Sequence, residues 1–166
     1  MAHFNEYLDL LELSPLVNHC LQNGKKRLYK KGEFFCQTSE VCHNIAYISQ
    51  GSFRYFYLDT EGNKHIIGYS FEKDFVADYE SFTRQTPAII YTEAIKASTV
   101  YQLSYNQLEE FWAATRQNQL LGRKIAENLF CMTYHRLLNL YSASPKIRMP
   151  SIVFSCRMAY SVSSCS

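Results

Sequence analysis

The chain has 166 residues, of which 47% are hydrophobic and 15% aromatic, and its formal net charge is +2. This length fits one domain with a sizeable core, and the charge is too small to indicate nucleic-acid binding by itself. No stretch approaches the ~20 apolar residues that a membrane-spanning helix needs, and the N-terminus lacks the basic segment of a signal peptide. The cytoplasm is therefore the expected compartment, without membrane association.

The apolar residues at the start of the chain have the spacing of a helix. Apolar residues among the first 13 recur at intervals of three and four. The segment "SPLVNHCLQNG" then predicts a short helix, in which Ser14 is the expected N-cap, Pro15 takes the first helical position and Gly24 ends the helix.

The apolar period then changes to two, which predicts β-strands. Strand-like segments follow in the order "KKRLYKKGEFF", "HNIAYISQG", "SFRYFYLD", "KHIIGYSF", "AIIYTEAIKA" and "TVYQLS". Glycine-bearing turns separate them, at Gly32 and in "TEGN". This spacing predicts an antiparallel jelly roll or barrel. The lysine-rich start of the first segment favours a solvated edge strand, and contact with phosphates is the alternative.

Two helices are predicted after the strands. "SYNQLEEFWAAT" predicts a helix that Ser104 caps, and a longer helix is expected over residues 116–141. Its apolar residues form two adjoining sides, which together cover more of the helix than one domain surface usually buries. We therefore expect it to pair with a second copy of the chain, and deep packing against its own barrel is the alternative. The expected dimer residues are Ile125, Ala126, Leu129, Phe130, Met132, Tyr134 and Leu137.

The last residues show no sustained period, with two prolines and many serines. They predict a loosely structured tail, and their abrupt change in composition suggests the hypothesis of out-of-frame translation or a gene remnant. The predicted organisation is a jelly roll with N-terminal helices over residues 1–115, a dimerisation helix over 116–141 and an irregular tail over 142–166. The expected fold class is mainly β with flanking helices: a double-stranded β-helix, or jelly roll, followed by a long helix.

This order of elements resembles the effector domain of the Crp/Fnr family of bacterial transcription regulators, which has the cyclic-nucleotide-binding fold. The resemblance covers about residues 13–141 and is carried by "KKGEFF", by "IAYISQGSFRYFYLDTEGNKH" and by "DFVADYESF" at the position of the phosphate cassette. It implies a small-molecule effector, a homodimer through the long helix and no enzymatic activity. It implies contact with DNA only if a parent protein carries the winged helix-turn-helix, for which the residues after the long helix are too few.

The resemblance fails at the cassette. Relatives that bind cyclic AMP carry Gly-Glu at the start of the cassette helix, where Glu takes a ribose hydroxyl, and Arg-Ser or Arg-Thr on the next strand, where Arg takes the phosphate. The corresponding pairs here are Ala77-Asp78 and Ala88-Ile89. Without the arginine a buried phosphate stays uncompensated. Arg84 lies nearby in sequence and is the candidate to compensate the phosphate instead. The alternative is that its side chain is solvated.

The resemblance thus implies an effector other than cyclic AMP, or none. The expected effector site comprises Tyr69, Phe71, Ala77, Asp78, Tyr79, Glu80, Ser81, Ala88, Ile89 and Tyr91. For the aromatic members, plain core packing is the alternative.

Two other functional classes fit parts of the sequence. A cupin-type metalloenzyme on a similar barrel would carry an H-x-H pair, whereas His65 stands alone in "KHIIG". The six cysteines show neither C-x-x-C nor zinc spacing, so we expect no metal or other cofactor, and most cysteines to be buried. The second alternative is an oligomerisation module that binds no ligand.

Overall fold

The structure is a computed structural model that describes residues 12–142. Within this range one compact unit ends at Ile125 and a second begins at Ala126. The helix predicted before residue 12 and the tail predicted after residue 142 lie outside the described residues. No helix in the described range is long and apolar enough to cross a membrane.

Helix α1 spans Ser14–Asn23, and its start differs from the prediction by one residue. Leu13, not Ser14, is the N-cap, and it makes no side-chain capping bond. The carboxylate of Glu12 instead accepts a hydrogen bond from the Ser14 backbone N–H at 3.1 Å. Gly24 ends the helix as predicted, with its N–H bonded to the Cys20 carbonyl at 2.8 Å.

Eight strands follow in the described range: β1 (Lys25–Tyr29), β2 (Phe34–Cys36), β3 (Asn44–Gln50), β4 (Phe53–Leu58), β5 (Lys64–Ser70), β6 (Phe75–Val76), β7 (Tyr91–Ala94) and β8 (Ser98–Ser104). They form two four-stranded sheets, one in the order β1-β8-β3-β6 and the other in the order β2-β7-β4-β5. Every pairing is antiparallel. This arrangement confirms the predicted jelly roll. Strand β1 lies at a sheet edge with its lysines exposed, as the sequence favoured.

Strand β7 begins later than predicted. Residues 88–90 were expected to be extended, but the strand starts at Tyr91. The Ala88 backbone is held by a loop instead, because its N–H donates to the Glu40 carbonyl at 2.8 Å and its carbonyl accepts from the Ser39 N–H at 2.9 Å. Long-range contacts therefore override the strand pattern at these three residues.

The core of the first unit consists of two clusters. One fills the roll and contains Tyr29, Ala46, Ile48, Phe53, Tyr55, Val76, Ala94 and Val100. The other joins α1 and the later helices to the strands and contains Leu16, Cys20, Cys36, Cys42, Phe75, Phe82, Ala88, Leu103, Leu108 and Phe111. The prediction of buried cysteines is confirmed for Cys20, Cys36 and Cys42, whereas Cys131 is exposed. Burial raises the pKa of the Cys20 thiol to about 12, so it remains an uncharged core residue.

The two helices after the sheets begin at defined caps. Helix α3 (Tyr105–Ala114) starts with the predicted Ser104 cap, which forms a capping box with Gln107. Thr115 is extended and separates it from helix α4 (Arg116–Ser142). The Thr115 hydroxyl accepts a hydrogen bond from the Asn118 backbone N–H at 3.1 Å, which caps α4.

The turn between β3 and β4 depends on Gly51, which has a φ of +113°. A Cβ there would collide with the Ser98 side chain and backbone, whereas a Cβ at Gly62, with a φ of +82°, would meet nothing within 4 Å. We expect Gly62→Ala to lower the free energy of unfolding by about 1–2 kcal/mol of backbone strain. Gly51→Ala should lose a further ~1–3 kcal/mol from overpacking. Urea unfolding of both variants tests this, and equal losses would contradict the packing at Ser98.

Candidate functional site

Residues 77–90, which we call the cassette corner, connect β6 of the first sheet to β7 of the second. Helix α2 (Tyr79–Arg84) lies between β6 and β7, and Asp78 is its N-cap. The carboxylate Oδ1 of Asp78 accepts a hydrogen bond from the Ser81 backbone N–H at 3.2 Å. The chain therefore places its own carboxylate at the start of this helix, where the exposed N–H groups of other helices can hold an external anion.

Asp78 is buried without a counter-ion. The residue is 5% exposed, and its second oxygen, Oδ2, has no hydrogen-bond partner among residues 12–142. Burial raises the pKa of Asp78, and the charge of Glu80 raises it further, while the backbone N–H groups of Ser81 and Glu80 act in the opposite direction. The net effect is a carboxyl group that holds its proton more strongly than an exposed aspartate.

The only basic side chain of α2 is exposed to solvent and pairs with another carboxylate. Arg84 is 73% exposed and pairs with Glu80 at 3.9 Å. On the following segment, Ala88 is buried and Ile89 is 74% exposed, so neither position offers a polar side chain. The backbone N–H of Ala88 is already bonded to Glu40. No positive charge within the described residues therefore faces Asp78.

Ser81 fastens the corner to its neighbours. Its hydroxyl accepts a hydrogen bond from the Cys42 backbone N–H at 2.9 Å and donates one to the Thr86 carbonyl at 2.6 Å. These two contacts tie the start of α2 to the segment before β3 and to the break before Pro87. The Ser81 hydroxyl, predicted to face a ligand, is thus occupied by the protein itself.

The predicted aromatic residues do not converge on one wall. Tyr91 stacks on Phe56 with ring centroids 5.0 Å apart, and Tyr69 stacks on Phe71 at 6.1 Å. Tyr69 on β5 lies opposite Arg54 on β4, and Arg54 in turn lies opposite Glu93 on β7. Because neighbours along a strand face opposite sides, Tyr69 and Tyr91 lie on the face of the second sheet opposite to Thr92. Tyr79 is 44% exposed and Phe71 37% exposed.

Three buried residues that the sequence did not indicate as site residues are Thr92, Cys36 and Cys42. Thr92 is fully buried, and its hydroxyl has no hydrogen-bond partner in the part of the chain that the structure describes. Cys36 is its cross-strand partner, and the Cys36 thiol hydrogen-bonds to Cys42, which raises the pKa of Cys36 together with burial. Period two in "IIYTEA" places Thr92 on the inner face with Ala94. This polar residue at an inner position of the strand is the feature of the sequence from which Thr92 could have been identified.

His65, which the metalloenzyme alternative singled out, lies on the exposed β4–β5 hairpin. Its Nε2 is 2.7 Å from the carboxylate of Asp59, and its ring stacks on Tyr57 at 5.0 Å. Among the described residues, no group of three or more His, Cys, Asp or Glu side chains is arranged to hold a metal ion.

A family model identifies the roll. Residues 26–115 match the model described as the cyclic nucleotide-binding domain, which is more than half of the chain. The chain belongs to the cyclic nucleotide-binding domain family. The matched range contains all eight strands except the first residue of β1, and it includes the cassette corner and α3.

Solved structures share the fold of this cyclic nucleotide-binding domain. The Thermus thermophilus catabolite activator protein is 14% identical with a TM-score of 0.61, over 81% of this chain and 59% of its own. Oxidised CprK in complex with o-chlorophenolacetic acid is 14% identical with a TM-score of 0.61, over 76% and 52%. A Thermotoga maritima transcriptional regulator is 15% identical with a TM-score of 0.62, over 80% and 100%.

These likenesses show the fold of Crp/Fnr-like transcription regulators. The chain spans 59% of the Thermus protein and 52% of CprK. No sequence among the curated proteins matches it significantly.

The raised pKa of Asp78 predicts a particular pH dependence of stability. Because the folded state binds this proton more tightly, the free energy of unfolding falls as the pH rises from the ordinary value of 3.8 through the raised one. Asparagine caps helices as well as aspartate but does not titrate. Asp78→Asn should therefore remove this decline, whereas Glu109→Gln, at an exposed carboxylate of α3, should change it little. Urea unfolding over a pH series would contradict this if wild type and Asp78→Asn gave parallel profiles.

Proposed function

We propose that this cyclic nucleotide-binding domain is the small-molecule effector-sensing and dimerisation part of a Crp/Fnr-type transcription regulator, and that it does not hold cyclic AMP as cyclic-AMP-binding relatives do. The observation that carries the proposal is the cap of α2. Asp78 supplies an internal carboxylate to the helix N–H groups that would otherwise meet a phosphate.

Electrostatics argue against a phosphate at this corner. A phosphate there would approach Asp78 and Glu80 without the arginine that compensates it in cyclic-AMP-binding relatives. Two like charges ~4 Å apart at an effective dielectric of ~20 repel by about 4 kcal/mol. Arg84 offers no relief, because it is 73% exposed and already paired with Glu80.

The fold itself supports sensing of other small molecules. CprK, which shares this fold, has been crystallised with o-chlorophenolacetic acid, which is not a nucleotide. A protein of this fold thus forms a complex with a molecule other than a nucleotide, and the described residues of this chain favour an effector that carries no phosphate.

The second half of the proposal rests on helix α4. Four aromatic or aliphatic residues at intervals of four, three and four are exposed: Phe130 by 71%, Tyr134 by 51%, Leu137 by 49% and Tyr141 by 84%. This stripe is the kind of apolar surface that a second helix covers. Ala126 lies at its start and is also exposed.

The remaining predicted dimer residues are less exposed. Met132 is 4% exposed, Leu129 is half-buried, and Ile125 packs against the core of the first unit. We therefore assign the dimer contact chiefly to the exposed stripe. The cytoplasm remains the expected compartment, and DNA would be contacted only through a helix-turn-helix of a longer parent protein.

The dimer is tested by placing a charge on the stripe. Phe130→Glu with Tyr134→Glu should weaken dimerisation by roughly 100-fold or more, because burying an unpaired carboxylate at an interface costs about 3 kcal/mol or more. Cys131→Glu adds one carboxylate at an exposed position about 100° around the helix from Phe130, and should leave the dimer intact. Analytical ultracentrifugation measures the association. A monomeric wild type, or a double variant that dimerises normally, would refute the assignment.

The effector half is tested with cyclic AMP itself. A ligand present at 100 times its Kd adds ~2.7 kcal/mol of stability, which raises the melting temperature by several degrees. We expect no such rise with cyclic AMP at millimolar concentration. A rise that disappears in Arg84→Ala would mean that Arg84 compensates the phosphate, and a rise in both proteins would also count against the proposal.

A further inference from the structure

Two buried cysteines are in direct contact beside the cassette corner. Cys36 ends β2 and Cys42 precedes β3, and they are 4% and 3% exposed. The Cys36 thiol donates a hydrogen bond to the Cys42 sulfur, so the two sulfur atoms are neighbours. Both belong to the core cluster that also contains Phe82 and Ala88 of the corner. Two cysteines whose side chains already meet are the pair that a disulfide can join.

Three hydrogen-bond donors converge on the sulfur of Cys42. They are the Cys36 thiol and the backbone N–H groups of Asp78 and Asn44. The bond from Cys36 is the chief reason that the pKa of the Cys42 thiol is lowered, and it outweighs burial and the charge of Asp78, which act in the opposite direction. In its neutral form Cys42 donates to the Asn44 carbonyl at 3.4 Å. Cys42 is therefore the nucleophile of the pair, and Cys36 is its protonated partner.

A short turn at the surface connects the two cysteines. Residues 37–41 are closed by a hydrogen bond from the Glu40 N–H to the Gln37 carbonyl at 3.2 Å, and Ser39 has a positive φ of 67°. Ser39 and Glu40 are exposed, whereas the cysteines that adjoin the two ends of the turn are buried. Local opening of this turn therefore gives a small molecule access to both sulfurs.

The same turn holds the cassette corner. The Ala88 carbonyl accepts hydrogen bonds from the Ser39 N–H at 2.9 Å and from the Thr38 hydroxyl at 3.2 Å, and the Ala88 N–H donates to the Glu40 carbonyl at 2.8 Å. The Cys42 N–H donates to the Ser81 hydroxyl at 2.9 Å. A change in the distance between the two cysteines therefore acts on the corner at both Ala88 and Ser81.

We propose that Cys36 and Cys42 are a redox pair, which a hydroperoxide converts into an intrachain disulfide that shifts the cassette corner. The Cys42 thiolate attacks one peroxide oxygen, the O–O bond breaks with release of hydroxide or an alkoxide, and Cys42 becomes a sulfenic acid. The Cys36 sulfur then attacks the sulfenic sulfur and forms the S–S bond, while the Cys36 proton leaves with the hydroxyl group as water. The peroxide is reduced by two electrons, which the two sulfurs supply.

Oxidation requires the chain to move. An S–S bond is about 2.05 Å long, which is shorter than a hydrogen bond between sulfur atoms, so the two cysteines approach each other and the turn between them changes. This device goes beyond the proposed function, because it gives the corner an input that needs no bound effector. Zinc fits the pair poorly, since structural zinc takes four ligands and no group of three or more His, Cys, Asp or Glu side chains converges among residues 12–142.

Peptide mapping of the oxidised full chain tests the pair. The folded protein is treated with millimolar hydrogen peroxide, the remaining thiols are alkylated, and the chain is cut after its glutamates. Glu40 lies between the two cysteines, so the disulfide keeps two peptides joined until a dithiol reduces it. We expect the Cys36–Cys42 link to be the main disulfide product. Because the link is measured in the wild type, this result does not depend on the folding of any variant.

Three variants assign the roles. In Cys36→Ser, a cyclic dione should trap a sulfenic acid on Cys42 roughly 10-fold or more faster than on Cys20, which is buried in the same cluster but has its pKa raised to about 12. Cys42→Ser should leave Cys36 unmodified. Cys131→Ser, at an exposed cysteine outside the pair, is the matched control and should form the link as the wild type does.

NMR spectra of the oxidised chain test the effect on the corner. The amide signals of Ser81 and Ala88 should shift on oxidation and return when a dithiol is added, whereas that of Gly62, in the β4–β5 hairpin, should stay. The absence of the Cys36–Cys42 link in the folded chain, or a link that leaves Ser81 and Ala88 unchanged, would each overturn the proposal. Such a failure in a protein that still dimerises and ignores cyclic AMP would leave the proposed function standing.

Discussion

The buried carboxylate of Asp78, at the start of α2, determines the polarity of the cassette corner. One oxygen caps α2, and the other lies in the interior without a hydrogen-bond partner or a cation from the described residues. Burying an unpaired charge costs several kcal/mol, so the corner has three possible states: a protonated carboxyl, a strained anion, or a complex with a cation. The polarity of the site is thus the reverse of a phosphate cradle, although the backbone has the shape of one.

The hydrogen bonds around Asp78 explain how one group can influence the rest of the roll. Ser81 links α2 to Cys42 and Thr86, and the Ala88 backbone is held by the loop at Ser39 and Glu40. A change at the cap therefore reaches the segment before β3 through the Ser81–Cys42 bond, and the segment before β7 through the Ser81–Thr86 bond. In a sensor of this architecture, such links convert occupancy into movement of secondary structure.

The sequence predicts the features that local patterns determine. Alternating apolar residues and glycine turns predict the antiparallel roll, and Ser104 predicts the cap of α3 because capping depends on residues within one helical turn. The N-cap of α1 was misplaced, because the Glu12 carboxylate serves in place of the Ser14 side chain. The start of β7 differs from the prediction because the Ala88 backbone forms its hydrogen bonds with Ser39 and Glu40, which are distant in sequence.

The candidate site is predicted only in part for the same reason. Asp78 follows from the resemblance to the cassette, but its unpartnered oxygen depends on which side chains the fold brings near it. Thr92 is a common residue in strands, and it becomes notable only because its neighbours leave its hydroxyl unbonded. Tyr69 and Tyr91 have the composition of a pocket lining, yet the register of β4 with its neighbours places them on the other face.

The most direct measurement is a carbon-13 NMR titration of the aspartate carboxyl groups, with the Asp78 signal assigned by its loss in Asp78→Asn. A buried carboxylate without a cation should titrate with a pKa above the ordinary value of 3.8. A titration below that value would mean that a positive charge reaches Asp78 within the free protein, and would contradict the reversed polarity of the corner.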